Sequence, residues 1–193
     1  MKFNFKGVKV DLKFGFAAVL TLCLLIDKSR ISVYSILSAV LHECGHLIYL
    51  ITVKKLPEEI CFSVFGMKIT KGKNSLTYKE EITAALSGPA VNLFLFLCML
   101  FNRKLVVFSA VNLCLGIFNL LPAQPLDGGT ALHYFLMYRN KNSIKIENIF
   151  TYVTAIILII SGVFVLIKSG YNFMLIVVGV YIIIYKKLYN RFQ

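Results

Sequence analysis

The run from Ile31 to Val53 is apolar and long enough to cross a bilayer, yet it carries His42-Glu43-Cys44-Gly45-His46 at its centre. Ionisable groups are costly in hydrocarbon, so this helix must turn them toward protein or a water-filled cavity. Residues four apart share a helical face, and His42 and His46 can therefore grip one divalent ion between them. Glu43 lies about 100° round the helix from His42, placed to reach an attacking water rather than to act as a third ligand. Cys44 points away from the histidine face and reads as a packing residue. Ser35, Ser38, Gly45 and Tyr49 fall within about 60° of His42, extending a polar stripe along an otherwise apolar helix.

The rest of the chain has the same character. Hydrophobic residues make up 58%, charged residues 16%, and the mean hydropathy is +0.76. The apolar residues fall into six blocks: Phe14–Ile26, Ile31–Val53, Ile82–Phe101, Leu105–Leu121, Ile149–Ile167 and Phe173–Tyr185. The fourth continues past its prolines toward Met137. Asp11 to Arg30 mimics a signal peptide, but no small-residue cleavage pattern follows Ile26, so it reads as a retained span.

The formal charge of +12 does not imply nucleic acid. With the N-terminus in the cytoplasm, the cytoplasmic tails and loops hold sixteen of the 21 Lys and Arg residues, against five on the other side (Lys28, Arg30, Arg103, Lys104 and Lys168). That bias places both termini in the cytoplasm, and the basic flanks suit anionic lipid. Five scattered cysteines, four of them within apolar spans, do not form a disulfide framework.

Catalytic zinc takes three protein ligands, so two histidines leave the set one short. Asp127, in Asn119-Leu120-Leu121-Pro122-Ala123-Gln124-Pro125-Leu126-Asp127-Gly128-Gly129, is the acidic residue other than Glu43 that lies in apolar sequence. Alone, Asp-Gly-Gly after two prolines is an ordinary turn. In a membrane chain, the prolines free backbone groups that must line a protein cavity, where a carboxylate can reach inward. Both spans run toward the cytoplasm in the charge-derived topology, so the two motifs share the cytoplasmic half. His133 is either a further member of the site or an interfacial residue.

These motifs resemble the site-2 protease family of intramembrane zinc metalloproteases, and most of all its compact bacterial branch, which includes the sporulation protease that processes pro-sigma-K. The resemblance rests on His42-Glu43-Cys44-Gly45-His46, on Leu126-Asp127-Gly128-Gly129, and on Ser87-Gly88-Pro89-Ala90-Val91-Asn92 between them. It implies His42, His46 and Asp127 as ligands of one zinc ion and Glu43 as the catalytic base. Thr130 stands where the family often has Arg after the Gly-Gly pair. Neither a PDZ insertion nor a C-terminal nucleotide-sensing domain is expected here, which leaves regulation to a membrane partner or to substrate supply.

Ala84, Gly88 and Asn92 recur every four residues and permit close helix packing. Asn92 and Asn119 are candidates for holding substrate or supporting the site. Within Lys54 to Glu81, alternation at Ile60, Phe62 and Val64 and the turn Gly72-Lys73-Asn74 before Leu76-Thr77-Tyr78 predict a β-hairpin. The alternating Lys2-to-Phe16 stretch can add a strand.

The expectation is an all-α polytopic membrane protein of about six transmembrane helices, a single domain over residues 1–193 with its catalytic core near 31–138. Spans two to four form a three-helix core, with a small cytoplasmic β-hairpin beside it. Its activity would be zinc-dependent hydrolysis of membrane-protein substrates at a bacterial cell membrane, releasing a cytosolic fragment, with no nucleic-acid partner. The alternative is a non-catalytic membrane metal binder or transporter, which would need His42, His46 and Asp127 but not Glu43. A di-iron oxidase needs more than the three histidines present.

Overall fold

The computed structural model describes residues 2–5, 8–12, 21, 25, 27, 31–55, 57–63, 66–70, 76–139 and 143–190. They form helices α1 (Ile31–Thr52), α2 (Tyr78–Met99), α3 (Val106–Asn119), α4 (Asp127–Tyr138), α5 (Ser143–Ser169) and α6 (Met174–Tyr189), with strands β1 (Lys2–Phe5), β2 (Val8–Leu12), β3 (Glu59–Ser63) and β4 (Gly66–Thr70). Among the described residues, three stretches are long and apolar enough to cross a membrane: Ile31–Thr52, Tyr78–Met99 and Ile144–Ser169. At 14 and 16 residues, α3 and α6 are shorter. The expected first span, Phe14–Ile26, lies outside the described residues apart from Thr21 and Leu25.

The fourth apolar block is interrupted at its prolines: α3 stops at Asn119 and α4 starts at Asp127. Pro122 and Pro125 lack the N–H that a continuing helix needs. The chain tightens instead, with Leu120 N–H donating to Ile117 O (3.2 Å) and Leu121 N–H to Phe118 O (3.2 Å). The strand partner of β3 is Gly66–Thr70, not Leu76-Thr77-Tyr78. Tyr78 instead opens α2, whose first turn carries Glu80 and Glu81, where negative charge complements the exposed N–H groups. The turn expected at Gly72-Lys73-Asn74 lies outside the described residues.

The sheet has the order β1-β2-β3-β4. β1 and β2 are antiparallel, with Lys2 opposite Asp11. β2 and β3 run parallel, Lys9 opposite Glu59, and this pairing requires the long crossover that α1 supplies. β3 and β4 are antiparallel, Glu59 opposite Thr70.

The chain divides into two compact units, Met1–Thr77 with Ser87–Gly116 and Tyr78–Leu86 with Ile117–Gln193. In the first, Asp27 accepts the Ser32 N–H (2.5 Å) at the start of α1. That helix ends with Lys54 at φ 55° and Lys55 N–H donating to Leu50 O (3.0 Å), a left-handed cap that closes the last turn. α1 buries Ser38, His42, Gly45, His46 and Leu50 on one face and exposes Ile31, Val33, Leu37, Val40, Ile48 and Ile51 on the other. Polar and small residues inside with large apolar ones outside is the arrangement of a membrane protein, because lipid solvates leucine as well as a protein core does. Gly45 permits the approach of α2: a Cβ there would stand 2.7 Å from Ser87 O. α3 joins through Ser109 Oγ–H donating to Phe96 O (3.1 Å) and through the Tyr34 and Phe108 rings, 5.8 Å between centroids.

In the second unit α5 and α6 pack through glycines. A Cβ on Gly162 would lie 2.8 Å from Ile176 N, and one on Gly179 3.0 Å from Ala155 O. Ala123 of the interhelical turn is buried against Ala155 and Ile182.

Candidate metal centre

His42 and His46 lie one turn apart on the buried face of α1, as their spacing requires. Their Nε2 atoms are 3.2 Å apart and the rings meet edge-on, with 4.9 Å between centroids. Two imidazole nitrogens bound at about 2.0–2.1 Å in a tetrahedral set stand roughly 3.3 Å apart, so the pair already has the spacing of two zinc ligands.

The other nitrogens are occupied. His42 Nδ1 meets Asn92 Oδ1 at 2.5 Å. His46 Nδ1 meets Ser87 Oγ at 3.3 Å. Both partners lie on α2, on either side of Gly88, whose missing side chain lets the rings pack against that helix. A Cβ there would fall 2.4 Å from His46 Nε2 and 2.8 Å from His42 Nε2. The residues thus fit a zinc ion: two imidazole nitrogens at the spacing of a tetrahedral ligand pair, each ring hydrogen-bonded through its other nitrogen.

Behind Asn92 the network continues. Asn92 Nδ2–H donates to Asn112 Oδ1 (2.8 Å) and to the Ser38 carbonyl (3.3 Å), and Asn112 Nδ2–H donates to the Phe108 carbonyl (2.9 Å). Both asparagines are fully buried, at 0% exposure. Gly116 makes room for them: a Cβ there would stand 3.3 Å from the Asn92 Cβ.

Glu43 follows His42 on α1 and is partly buried; Cys44 is partly buried with a free thiol. Ser35, expected on the histidine face, is exposed, and Tyr49 is partly buried. Asn119 is the last residue of α3 and Asp127 the first of α4. The turn before Asp127 depends on the two glycines after it. A Cβ on Gly128 would sit 2.2 Å from Leu120 O, and one on Gly129 2.3 Å from the Ala123 carbonyl carbon. These backbone atoms cannot yield, so Asp-Gly-Gly is the form of this corner that fits.

His133 belongs to a different cluster. Its Nδ1 meets Glu147 Oε1, and Lys186 Nζ donates to Glu147 Oε2 at 3.0 Å. Glu147 is 3% and Lys186 1% exposed. Sequence reasoning missed both, taking Lys186 as a topological flank and Asp127 as the lone embedded acid beyond Glu43. The available signal was Glu147 standing four residues before Thr151 and seven before Thr154, on the polar face of an apolar helix. Ser87, a partner of His46, and Asn112, a partner of Asn92, were also missed; Asn112 is an amide within an apolar span, which should pair inside the protein.

Fold and histidine pair together describe a membrane-embedded protein with two imidazoles spaced as a ligand pair on one helix. Residues 99–161 match peptidase family M50, a segment that holds Asp127 but not the histidine pair. The chain is 32% identical over 106 residues to a provisionally named zinc metalloprotease of Synechocystis sp., covering 49% of this chain and 28% of that protein. It is 30% identical over 122 residues to the provisionally named zinc metalloprotease Rip3 of Mycobacterium tuberculosis, covering 56% and 31%. A zinc metalloprotease of Methanocaldococcus jannaschii is 24% identical over 156 residues, covering 69% and 44%. The chain thus spans less than half the length of these relatives. The solved structure of a site-2 protease from Methanocaldococcus jannaschii superposes with a TM-score of 0.68 at 23% identity, over 97% of this chain and 94% of that one. The chain has the site-2 protease fold.

Proposed function

We propose that the protein is an intramembrane zinc metalloprotease, its one ion held by His42, His46 and Asp127. The observation that carries this reading is the pair of Nε2 atoms 3.2 Å apart on the buried face of α1. Two imidazoles with a carboxylate, which Asp127 would supply, suit a catalytic zinc with an open position. The relatives named as zinc metalloproteases support the same chemistry.

Zinc, when bound, supplies a Lewis acid that activates water and polarises a carbonyl. Glu43, one residue beyond His42, takes the proton of the attacking water and returns it to the leaving amine. Asn92 supports His42; with its amide engaged on three sides, it serves the ligand rather than a substrate. Asn119, at the end of α3, is the remaining candidate for holding substrate. The substrate is another membrane protein, whose scissile stretch must leave the helical state because an intact helix keeps its carbonyls bonded. Edge strands β1 and β4 offer unpaired backbone groups to such an extended segment.

The chain works as one catalytic domain in a bacterial cell membrane. It crosses six times, both termini and the sheet lie in the cytoplasm, and cleavage releases a cytosolic fragment, with a membrane partner as regulator. The positive-inside bias supports this topology. The narrower likeness to the sporulation branch rests on the sequence motifs.

The test compares the purified wild type with Glu43→Gln on a membrane-protein substrate in detergent. Cleavage should fall on the order of 10²–10⁴-fold while bound zinc is unchanged. Equal cleavage would remove Glu43 from the mechanism. A wild type that binds zinc but cuts no membrane protein would leave a metal binder or transporter.

A further inference from the structure

Resting on the metalloprotease reading, we propose that Asn112, which touches neither metal nor substrate, is a positioning residue: through Asn92 it sets which nitrogen of His42 carries the proton.

The argument is one of hydrogen-bond direction. A backbone carbonyl can only accept, and an Asn side chain has one accepting and one donating end. Asn112 places its Nδ2 2.9 Å from the Phe108 carbonyl, so its donating end is committed there and its Oδ1 faces Asn92. Asn92 must then turn its Nδ2 toward Asn112 Oδ1, an orientation that the Ser38 carbonyl at 3.3 Å also demands. Reversing either amide would set oxygen against oxygen at a place where both residues are fully buried. Asn92 Oδ1 is left facing His42 Nδ1 at 2.5 Å, and it can only accept. His42 must therefore hold its proton on Nδ1.

The consequence falls on the other nitrogen. A neutral imidazole protonated at Nδ1 has its lone pair on Nε2, the atom 3.2 Å from His46 Nε2. His46 Nδ1 faces the Ser87 hydroxyl, which can donate or accept. In one neutral form His46 can donate its Nε2 proton to His42; to offer Nε2 to a metal it takes the other tautomer, with its proton on Nδ1 facing Ser87 Oγ. The relay from Phe108 O to Asn112, Asn92 and His42 fixes the His42 ligand in advance. Every member of it is neutral, so it acts without placing a charge in the membrane interior.

The first measurement needs no variant. Nitrogen-15 shifts of the two His42 ring nitrogens in the metal-free, full-length protein in detergent should show Nδ1 protonated and Nε2 bare. A protonated His42 Nε2 overturns the proposal. The second compares Asn112→Leu with Asn112→Asp by zinc competition against a chromophoric chelator. Leu fills similar space but removes both ends of the relay, and zinc affinity should fall roughly 10–100-fold, with His42 populating both tautomers. Buried aspartic acid, held neutral, can accept from Asn92 through one oxygen and donate from the other to Phe108 O, so Asn112→Asp should restore both the affinity and the Nδ1 proton. If Asn112→Leu binds zinc as the wild type does, or if Asn112→Asp is no better than Asn112→Leu, Asn112 only packs and the proposal fails. Should the wild type bind no zinc at all, the metalloprotease reading falls, while the nitrogen shifts still judge the relay.

Discussion

The protein buries two polar clusters, and they are built on opposite principles. Around His42 the interior is held by neutral amides and backbone carbonyls: Ser38, Asn92, Asn112 and Phe108, linked one donor to one acceptor. Around Glu147 it is held by charge, with Lys186 and His133 on its two oxygens and the Tyr189 ring 5.2 Å from the ammonium. An amide chain conveys direction, since each link has a donor end and an acceptor end. A carboxylate accepts from any donor and conveys none, but it binds its cation strongly once water is excluded. The first kind suits a metal ligand whose proton must be on one nitrogen; the second suits a joint between helices, here α4, α5 and α6.

The largest effect on stability should come from breaking the charged joint. Lys186→Met leaves the Glu147 carboxylate buried without its ammonium partner, and equilibrium unfolding in detergent should register a loss of roughly 3–5 kcal/mol. Removing the set together, as His133→Leu/Glu147→Leu/Lys186→Met, should recover most of that loss, because the desolvation of charge goes with it. A triple variant as unstable as the single one would mean that the joint contributes net stability of its own.

A second break tests the metal side. Gly88→Ala puts a methyl group 2.4 Å from His46 Nε2 and must push that ring aside, and zinc affinity should fall roughly 10–100-fold by chelator competition. Unchanged affinity would show that binding does not need the ring to lie against Gly88. The smallest effect lies outside both clusters. Lys54→Gly relieves a side chain at φ 55° at the end of α1 and should raise stability by about 0.5 kcal/mol, with neither zinc affinity nor the His42 tautomer altered.

Much of this was legible in the sequence, because some features depend only on local geometry. The histidine pair follows from a four-residue spacing on a helix, and the break before Asp127 follows from Pro122 and Pro125. Other features were not legible, because they depend on what another helix brings. Leu76-Thr77-Tyr78 reads as a strand by residue type, yet Glu80 and Glu81 make the same stretch a helix start. Gly88 looks like one of a row of packing residues until α1 sets His42 and His46 against it. Lys186 reads as a flanking charge, although Glu147, 39 positions earlier, draws it inside.

The sequence by itself determined the membrane environment, the paired imidazoles and the chemistry they are suited to, since hydropathy, helical period and ligand type are properties of a few neighbouring residues. Only the tertiary structure decided which partner each buried polar group would find. Asn92 and His42 are 50 positions apart, and Asn92 and Asn112 are 20. A hydrogen bond has a direction and a reach of about 3 Å, and neither is written in the spacing of residues along a chain.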